Sequence, residues 1–543
     1  MKKFLAALVA VSGAAAIGVL AQSLDAPTAH GAPAPASLFV PVQPCRLSDT
    51  RSDNGFSRVD GLTIAISTVG RCGIPSNATS LALTLTVTQP WGNGFLTAWP
   101  GDQARPTVSN LNFQGGQVRA NGAITKVDAS GTFRVFTSVP AFVVVDVVGA
   151  FVVAGATAKA GRFIPSASVR LFDSRPNLKA APGGSITIPL PAGVPADAAA
   201  VALNITITES SSPGFVTAYP ANTPRPNASV LNLDSFMQTR AVGGIFPVSA
   251  AGTTLYLSGG GHVVVDYSGY FTGASAAAGS DGLFTAFDPT RLMDTRGSSP
   301  LGVGVPVYPS GGVELAVARA GSGSIAYNIT SVDDDIGFVR GFAAGTPQPA
   351  TSMLNPQGQG DVVANFAITQ VSNRGLDFWS QQQTHLVFDL QGWFSGAPVV
   401  ATLAVPTNTA PVAPRAEYSP CTHDGIDRIN AERQKSGAPP LVVNQAGESF
   451  ACAWALHLAQ LNAGISHSDS ASRDAAVGCP TGENVAFSTG TSTSRLMDLW
   501  MASADHHANI IRPSYVGAGI GYVTRTDPSG ATTTYGSTTF TLC

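Results

Sequence analysis

Hydrophobic and polar residues alternate along most of the first 400 or so positions, which is the pattern of half-buried β-strands. Residues 81–88 (LALTLTVT), 201–208 (VALNITIT) and 325–330 alternate apolar positions with smaller or polar ones and are rich in β-branched side chains. Denser apolar runs such as residues 142–148 (FVVVDVV) predict strands that are buried on both faces. Gly, Pro and Asn separate these runs, and no helical periodicity interrupts them. The pattern therefore predicts an all-β region.

Three copies of one unit make up this region. The motif CRLSDTR at residues 45–51 returns as VRLFDSR at 169–175 and as TRLMDTR at 290–296. A Gly-Phe pair, a Ser-x-x-Asn segment and a hydrophobic-Asp pair follow in the same order in every copy. We place the repeats at residues 39–153, 162–273 and 283–396 and expect three tandem all-β, sandwich-like domains. Joined in series, they predict a largely extended arrangement.

An Asp interrupts the last apolar run of every copy, and an Arg ends the opening motif. The acidic positions are Asp146, Asp266 and Asp389. The basic positions are Arg51, Arg175 and Arg296. A ligand or metal carboxylate is one interpretation. We favour a partly buried ion pair and turn cap, because a buried carboxylate needs a partner and a shared fold explains its recurrence.

The first 36 residues have the pattern of a secretory signal peptide. Lys2 and Lys3 precede an uncharged apolar run over residues 4–20, and small residues and Pro follow up to Ala36. The run is shorter than the about 20 apolar residues that span a bilayer. We therefore expect a protein that is secreted or associated with the cell envelope, without a stable membrane span in its mature form.

The periodicity changes beyond residue 420, after an Ala, Pro and Thr-rich segment at 397–420 that we interpret as a semi-stiff linker. Apolar spacings of three and four predict helices around residues 426–433, 450–461 and 496–506. The segments 517–523 and 532–541 are typical of strands. Residues 421–543 are therefore predicted to form an α+β domain.

Charge and composition exclude several classes of function. The 543-residue chain has 30 Lys and Arg against 33 Asp and Glu, a formal net charge of -3, and only 12% charged residues. No segment has the concentrated basic excess that nucleic-acid binding or a polybasic membrane contact requires. The hydrophobic fraction of 44% is ample for packed cores. We expect a folded monomer that does not bind nucleic acid.

Six cysteines in an exported chain predict disulfides. Cys45 and Cys72 lie in the first repeat, far from the others, and we expect them to pair. In the last domain we expect the pairs Cys421 with Cys543 and Cys452 with Cys479, one of three possible pairings. Zinc bound by four thiolates is the alternative, but no Cys-x-x-Cys spacing supports it.

The side chains with catalytic or metal-binding chemistry are concentrated in the last domain, where five of the eight histidines lie. His467 stands in GISHS, Glu483 in TGENVA and His506 in ADHHANI. With NAER at 430–433 upstream, these motifs resemble the CAP superfamily of cysteine-rich secretory, antigen 5 and pathogenesis-related 1 proteins, in its bacterial SCP branch. The resemblance covers residues 421–543, under a quarter of the chain.

This resemblance implies an α-β-α sandwich with a cleft that holds a tetrad of two His and two acidic residues. Matched by motif, the histidines are His467 and His506, and one acid is Glu483. Where some relatives carry the second acid, this chain has Ser503, and His507 replaces the usual Arg. The cleft is therefore expected to consist of these side chains with an incomplete tetrad.

Two imidazoles beside a carboxylate can bind zinc or serve in acid–base chemistry. The superfamily is linked chiefly to binding lipids, sterols and other extracellular partners. We therefore expect a secreted CAP-domain protein that binds a small apolar or cell-envelope ligand, with zinc as a candidate cofactor held by His467 and His506. A purely structural hydrogen-bond network in the cleft is the simpler alternative.

Two further functions remain open at this stage. A zinc-dependent extracellular hydrolase is the first, although the chain has no HExxH, GxSxG or GxxxxGK[ST] motif, so that we favour binding over turnover. The second is carbohydrate binding through aromatic side chains of the β repeats, for which the candidates are Trp91, Trp99, Tyr219 and Trp393.

Overall fold

The structure is a computed structural model that describes residues 19–21, 35–155, 157–297, 305–332, 335–358, 360–408, 416–462, 464–527 and 529–543. Most of the predicted signal peptide, residues 1–18 and 22–34, lies outside the described residues. Strand β1 (Val19–Ala21) pairs in parallel with a strand of the third repeat, Gly312–Ala316. Within the described segments, no helix combines the length and apolar character that crossing a membrane requires.

Each repeat is a sandwich of two β-sheets, which confirms the predicted fold class. Repeat 1 contains β2 (Ser37–Asp49), β3 (Ser57–Arg58), β4 (Thr63–Ser67), β5 (Ala78–Thr88), β6 (Gly94–Pro100), β7 (Leu111–Phe113), β8 (Arg119–Lys126), β9 (Thr132–Thr137) and β10 (Phe142–Val153). Repeat 2 contains β11 (Phe163–Asp173), β12 (Gly184–Ile188), β13 (Ala200–Thr208), β14 (Gly214–Pro220), β15 (Leu231–Leu233), β16 (Arg240–Pro247), β17 (Thr253–Leu257) and β18 (His262–Phe271). Repeat 3 contains β19 (Phe284–Asp294), β20 (Gly312–Ala316), β21 (Ser322–Val332), β22 (Val339–Ala343), β23 (Val363–Gln370), β24 (Leu376–Ser380) and β25 (His385–Ser395).

The first sheet has the same strand order in all three repeats. In repeat 2 one sheet has the order β11-β18-β13-β16 and the other β12-β17-β14-β15. The first sheet of repeat 1 (β2-β10-β5-β8) and that of repeat 3 (β19-β25-β21-β23) repeat this order and join edge to edge between β2 and β19. The closing strand of each copy lies between two partners, which explains its continuous apolar run.

The three repeats pack around a common centre, so the expected extended arrangement is wrong. One hydrophobic cluster takes buried side chains from all three first sheets. Its core consists of six phenylalanines near the first and last strands: Phe39, Phe151, Phe163, Phe271, Phe284 and Phe394. The contacts between repeats follow one cyclic rule, with ring-centroid distances of 4.7 Å for Phe39–Phe271, 4.8 Å for Phe163–Phe394 and 4.5 Å for Phe284–Phe151. The repeats therefore form a closed, pseudo-threefold body.

The buried Asp of each repeat forms an ion pair, as predicted, but the expected arginine partners are wrong. In repeat 1, Arg46 Nε lies 2.5 Å from Asp146 Oδ1, because the β2–β10 register sets these residues opposite each other. Arg51 instead pairs with Asp49, two residues earlier. The equivalent pairs are Arg170–Asp266, Arg291–Asp389, Arg175–Asp173 and Arg296–Asp294.

These carboxylates also link the repeats to one another. Asp146 accepts a hydrogen bond from the Ser229 backbone N–H of repeat 2, at 3.2 Å. The same bond runs from Ser352 to Asp266 and from Ser109 to Asp389. Burial raises the pKa of Asp146, an effect that the hydrogen bond from Arg46 opposes. The recurring Asp is therefore a structural element of the threefold assembly.

The segment that we interpreted as a linker packs against repeat 3 over its first part. The Thr402 N–H donates to Gly345 O at 2.8 Å, and the buried Asn408 side chain accepts from the Tyr308 N–H at 2.8 Å. Beyond it, the last domain contacts repeat 2 through Phe236 and Phe450, whose rings stack with centroids 4.1 Å apart. The last domain is thus seated on the β body.

The last domain is an α-β-α sandwich, as predicted. Its helices are α1 (Ile426–Lys435), α2 (Gln445–Leu461), α3 (Ser470–Val477), α4 (Thr493–Ala502) and α5 (Ala504–Ile511). Its strands are β26 (Glu417–Tyr418), β27 (Val442–Val443), β28 (Thr481–Thr489), β29 (Gly517–Thr526) and β30 (Thr532–Thr541), in the sheet order β26-β29-β30-β28 with β27 beside β29. The predicted third helix is two helices, because the backbone at Ser503 is extended (φ -92°, ψ 126°) and separates α4 from α5.

Helix α2 lies directly on the sheet because β29 has glycine at the contact. A Cβ at Gly519 would lie 1.9 Å from the backbone N of Glu448 in α2. One face of the sheet therefore packs on α2, and the other packs on α1, α4 and α5 through residues such as Trp500 and Ile520.

All six cysteines form disulfides, but the pairing expected for the last domain is wrong. Cys45 pairs with Cys72, as expected, with a Cα–Cα distance of 5.7 Å. The other pairs are Cys421–Cys452 and Cys479–Cys543. The β28–β30 register sets Thr481 opposite Thr541, which brings the flanking cysteines Cys479 and Cys543 to the same end of the sheet. Only the folded sheet selects this pairing.

Candidate functional site

Three different elements carry the predicted site residues. Glu483 lies near the start of β28, opposite Thr539 of β30, and its side chain is only 1% exposed. His467 lies in the loop between α2 and α3 and is 59% exposed. His506 lies in α5 and is half-buried. The site residues are therefore one buried carboxylate, one exposed imidazole and one half-buried imidazole.

Glu483 is fully engaged by hydrogen bonds from its neighbours. His467 Nδ1 lies 2.9 Å from Glu483 Oε2, which also accepts from the Ser468 N–H at 2.9 Å. The Ser468 hydroxyl donates to the other oxygen, Oε1, at 2.7 Å. Arg473 adds a buried positive charge, with Nη1 at 3.4 Å from Oε2 and 2.7 Å from Ser468 Oγ. Both carboxylate oxygens are thus used to fix His467 and the loop after it.

The hydrogen bond to Glu483 orients His467. Because Nδ1 is bonded to a carboxylate, Nε2 is the ring nitrogen that remains to face solvent on this exposed side chain. This is the arrangement in which a carboxylate fixes the orientation of a metal-binding histidine.

Helix α5 is held beside this pair by asparagines. Asn484, which follows Glu483 in β28, donates from Nδ2 to His506 O at 3.0 Å. Asn509 donates to Glu483 O at 3.3 Å and to Asn484 Oδ1 at 2.9 Å. Burial lowers the pKa of His506, and the charge of His467 lowers it further. A positive charge on His467 therefore disfavours protonation of His506.

A buried arginine fixes the far end of α5. Arg433 of α1 is fully buried and donates to four backbone carbonyls. Two of them, Ile510 O at 2.8 Å and Arg512 O at 2.9 Å, end α5, where the carbonyls of a helix have no partner of their own. The NAER segment thus positions the helix that carries His506.

Ser503 and His507 are not part of the network around His467 and Glu483. Ser503 marks the start of α5, where its backbone O accepts from the His507 N–H at 2.8 Å. The side chain of His507 points to α1, with Nε2 at 3.0 Å from Glu432 Oε1. Ser503 therefore offers a hydroxyl and no carboxylate, and a second acid is supplied to His507 rather than to His467.

We expect the two site histidines to titrate in opposite directions from their ordinary pKa of 6.5. The hydrogen bond that His467 donates to Glu483 raises the pKa of His467, whereas burial lowers the pKa of His506. The stability that the His467 hydrogen bond contributes is therefore complete below pH 6.5 and is lost as pH rises through the pKa of His467 in the folded protein. The stability that neutral His506 contributes is complete above pH 6.5 and is lost as pH falls through the pKa of His506 in the folded protein. NMR titration of the ring protons checks this, and a higher midpoint for His506 than for His467 would contradict it.

Other groups with metal-binding chemistry lie outside this cluster. Ligand atoms of Cys421, His423 and Cys452 lie within 4.8 Å of one another, but the two cysteines form a disulfide. As a disulfide, they offer no thiolate to a metal. In the disulfide form, His423 is therefore the one side chain of this group with a ligand atom suited to zinc.

The aromatic side chains expected to bind carbohydrate do not form a shared surface. Trp99 and Trp393 are buried, at 4% and 3% exposure, and Trp99 Nε1 donates to Gln103 O within its own repeat. Tyr219 is half-buried, and Trp91 is 84% exposed. Burial of two of the four weakens the case for a repeated sugar-binding platform.

Several residues of the site were missed by the sequence analysis. Ser468, Arg473, Asn484 and Asn509 complete the hydrogen-bond network around Glu483. The sequence motifs contain three of them. Ser468 and Asn484 directly follow His467 and Glu483, and Asn509 lies three residues after His506. Arg473 had no such signal, because only the position of α3 brings it to the carboxylate.

Of the comparisons with known proteins, the family profile is the informative one. A search of curated proteins finds no match. Two solved structures show a remote likeness: a triple jelly roll protein from an archaeal virus turret (9% identity, 67% of this chain, 92% of that chain) and the atomic structure of Sulfolobus turreted icosahedral virus (11%, 66% and 92%). Both have a TM-score of 0.14, at which the likeness carries no conclusion.

The family profile described as CAP, cysteine-rich secretory protein family, matches residues 426–542. The matched segment begins at α1, ends beside Cys543 and includes His467, Glu483 and His506. The C-terminal domain of this chain is therefore a CAP domain of the cysteine-rich secretory protein family.

Proposed function

We propose that this is a secreted binding protein whose CAP domain uses a zinc-bearing histidine pair to bind a small apolar or cell-envelope ligand. The observation that carries the proposal is the buried Glu483 bonded to His467 Nδ1, with the other nitrogen of that ring left toward solvent. The three β-sandwich repeats are the platform for this domain. Disulfides and a CAP domain are typical of extracellular proteins, which supports secretion.

Zinc is the cofactor that we propose for the histidine pair. His467 and His506 would hold it, since imidazole is a preferred zinc ligand and the pKa of His506 is lowered, which keeps that ring neutral near pH 7. Zinc would supply a Lewis acid with coordination positions left for a ligand. Glu483 would not be a ligand itself, because its oxygens are already bonded to His467 and Ser468.

The geometry favours binding over hydrolysis. A general base must be free to take a proton from water. Glu483 is buried and fully hydrogen-bonded, Ser503 carries no carboxylate, and the acid Glu432 is bonded to His507. These contacts leave the histidine pair without the accompanying base that a zinc hydrolase requires, and a chelator-sensitive activity abolished by Glu483→Ala would argue for the hydrolase instead.

Calorimetric zinc titration of the oxidised protein tests the metal part of the proposal. We expect one site in the wild type and loss of measurable binding in the His467→Ala, His506→Ala double variant, because both imidazoles are removed. The matched control is His423→Ala, which removes the histidine beside the Cys421–Cys452 disulfide and should leave binding unchanged. Unchanged affinity in the double variant, or loss of binding in the control alone, would contradict the assignment.

A further inference from the structure

A cavity of about 410 Å³ lies between repeats 2 and 3, away from the CAP domain. Its size falls within the range of about 300–1,000 Å³ that is usual for small-molecule sites. The walls are largely apolar and include Ala202, Phe342, Met353 and Ile368. Asp266 is the one ionisable side chain among the residues that line it, and Arg170 already pairs with it. A charged ligand would therefore have no partner here, whereas a neutral apolar one would be accommodated.

The pseudo-threefold symmetry gives this cavity two internal comparisons. The equivalent interface between repeats 1 and 2 encloses only about 10 Å³, beside Ala82, Leu83 and Val148. Because Ala82 and Leu83 of β5 correspond to Ala202 and Leu203 of β13 in strand register, the two cavities occupy the same place in the assembly. The repeat fold itself therefore does not require a hollow interface.

One position in the last strand of each repeat accounts for the difference. Strands β10, β18 and β25 each contain a β-bulge at the equivalent position. The bulged residues are Val148, Ser268 and Gln391. Val148 and Gln391 are buried, at 6% and 2% exposure, whereas Ser268 is half-buried and lines the cavity. Repeat 2 thus has the shortest side chain where the other two repeats fill the interface.

The interface between repeats 3 and 1 indicates which polar group is missing. Gln391 Oε1 accepts a hydrogen bond from the Ile124 N–H of the edge strand β8, at 2.7 Å. Ile368 of β23 is the equivalent of Ile124 in repeat 3. Ile368 pairs with Ala326, and Ile124 pairs with the equivalent residue Ala82. N–H groups alternate between the two edges of an antiparallel strand, and the Phe366 N–H, two residues earlier, donates away from its sheet to Asn121. The Ile368 N–H therefore faces the cavity, where Ser268 is too short to replace the glutamine oxygen.

The rim of the cavity also differs from the equivalent interface between repeats 3 and 1 in its charged side chains. Between repeats 3 and 1, Lys126 at the end of β8 forms an ion pair with Asp288 of β19, at 2.6 Å. The residue in the position of Lys126 on β23 is Gln370, and the residue in the position of Asp288 on β11 is Ala167; both line the cavity. The ion pair that crosses one interface is therefore replaced by two uncharged side chains that line the other.

We propose that this cavity binds a neutral, mostly apolar molecule that carries a carbonyl oxygen, such as an ester, amide or ketone. The apolar body fills the space that Val148 and Gln391 fill elsewhere, and the oxygen accepts from the Ile368 N–H as Gln391 Oε1 does from Ile124. This site is independent of the histidine pair of the CAP domain.

Fluorescence titration of the full chain with prodan, a neutral naphthalene ketone whose emission shifts to the blue in apolar surroundings, tests the proposal. We expect saturable binding at one site. Ser268→Gln, which gives repeat 2 the residue of repeat 3, should weaken binding by about tenfold or more without lowering the melting temperature, because it fills the cavity and occupies the Ile368 N–H.

The matched control is Ser185→Gln, the same change at an exposed position of β12 in repeat 2, which should bind prodan as the wild type does. If Ser268→Gln fails to fold, Ser268→Val replaces it as the test. This variant introduces the residue found in repeat 1, and we expect the same loss of prodan affinity. Unsaturable binding to the wild type, or equal affinity in the wild type and the filled variant, would overturn the proposal. The zinc-site variant His467→Ala, His506→Ala should bind prodan normally, which separates this site from the CAP domain.

Discussion

Phe151→Ala is expected to destabilise the β body by about 3–5 kcal/mol, the usual cost of removing a buried phenylalanine side chain. Phe151 is fully buried at the centre of the assembly. Its ring lies 4.5 Å from that of Phe284 and 5.4 Å from that of Phe39, with Phe271 and Phe394 within 6.4 Å. Since all three repeats meet at this ring, the loss should affect them together. Urea unfolding followed by circular dichroism measures it.

The matched control for this variant is Phe142→Ala on the same strand, β10. Phe142 is 39% exposed, so that its removal creates no enclosed cavity and should change stability far less. The midpoint of the β transition should therefore fall only in the Phe151 variant, and as a single step. Equal effects of the two substitutions, or a separate transition for each repeat, would show that the centre does not hold the repeats together.

Glu483→Ala is expected to have the second large effect, a loss of about 3–5 kcal/mol in the CAP domain, because it leaves a buried charge without its partner. The Arg473 side chain is 8% exposed and has Glu483 as its acidic neighbour at 3.4 Å. The substitution also removes acceptors from His467, the Ser468 N–H and the Ser468 hydroxyl. Differential scanning calorimetry of the full chain should show a lower transition for the CAP domain.

Two comparisons separate this role from a general loss of charge. Asp498→Asn removes an acid of the same domain that is 66% exposed and pairs with Arg428 at the surface, where ion pairs contribute little. It should leave the transition almost unchanged. Glu483→Gln keeps the shape of the side chain but lowers the raised pKa of His467 toward 6.5, which NMR measures. An unshifted His467 titration in this variant would contradict the orienting role of Glu483.

The elements of the fold were predictable because their signals are local. Alternation over residues 81–88 and 201–208 corresponds to β5 and β13, and the spacing of apolar residues after position 449 corresponds to α2. The repeats were visible for the same reason, since each copy must fold by the same strand pattern. The break at Ser503 was missed, because the apolar stripe continues from α4 into α5 although the backbone does not.

The site was predictable in its members and not in its connections. His467, Glu483 and His506 follow from motifs that lie far apart in sequence. The sequence does not show that the Glu483 carboxylate orients the His467 imidazole. That role depends on the positions of Arg473 in α3 and of Ser468 in the preceding loop, which only the folded domain sets.

The sequence by itself therefore determined the all-β class of the repeat region, the mixed helix and sheet class of the last segment and its CAP family, since periodicity and motif spacing are local properties of the chain. Tertiary structure alone decided the closed packing of the repeats, the arginine partners of the buried aspartates, the disulfide pairing of the CAP domain and the cavity at Ser268. Each of these depends on strand register or on contacts between distant segments, and one position of register changes which side chains meet. Such contacts are selected by packing of the whole molecule and leave no periodic trace in any one segment.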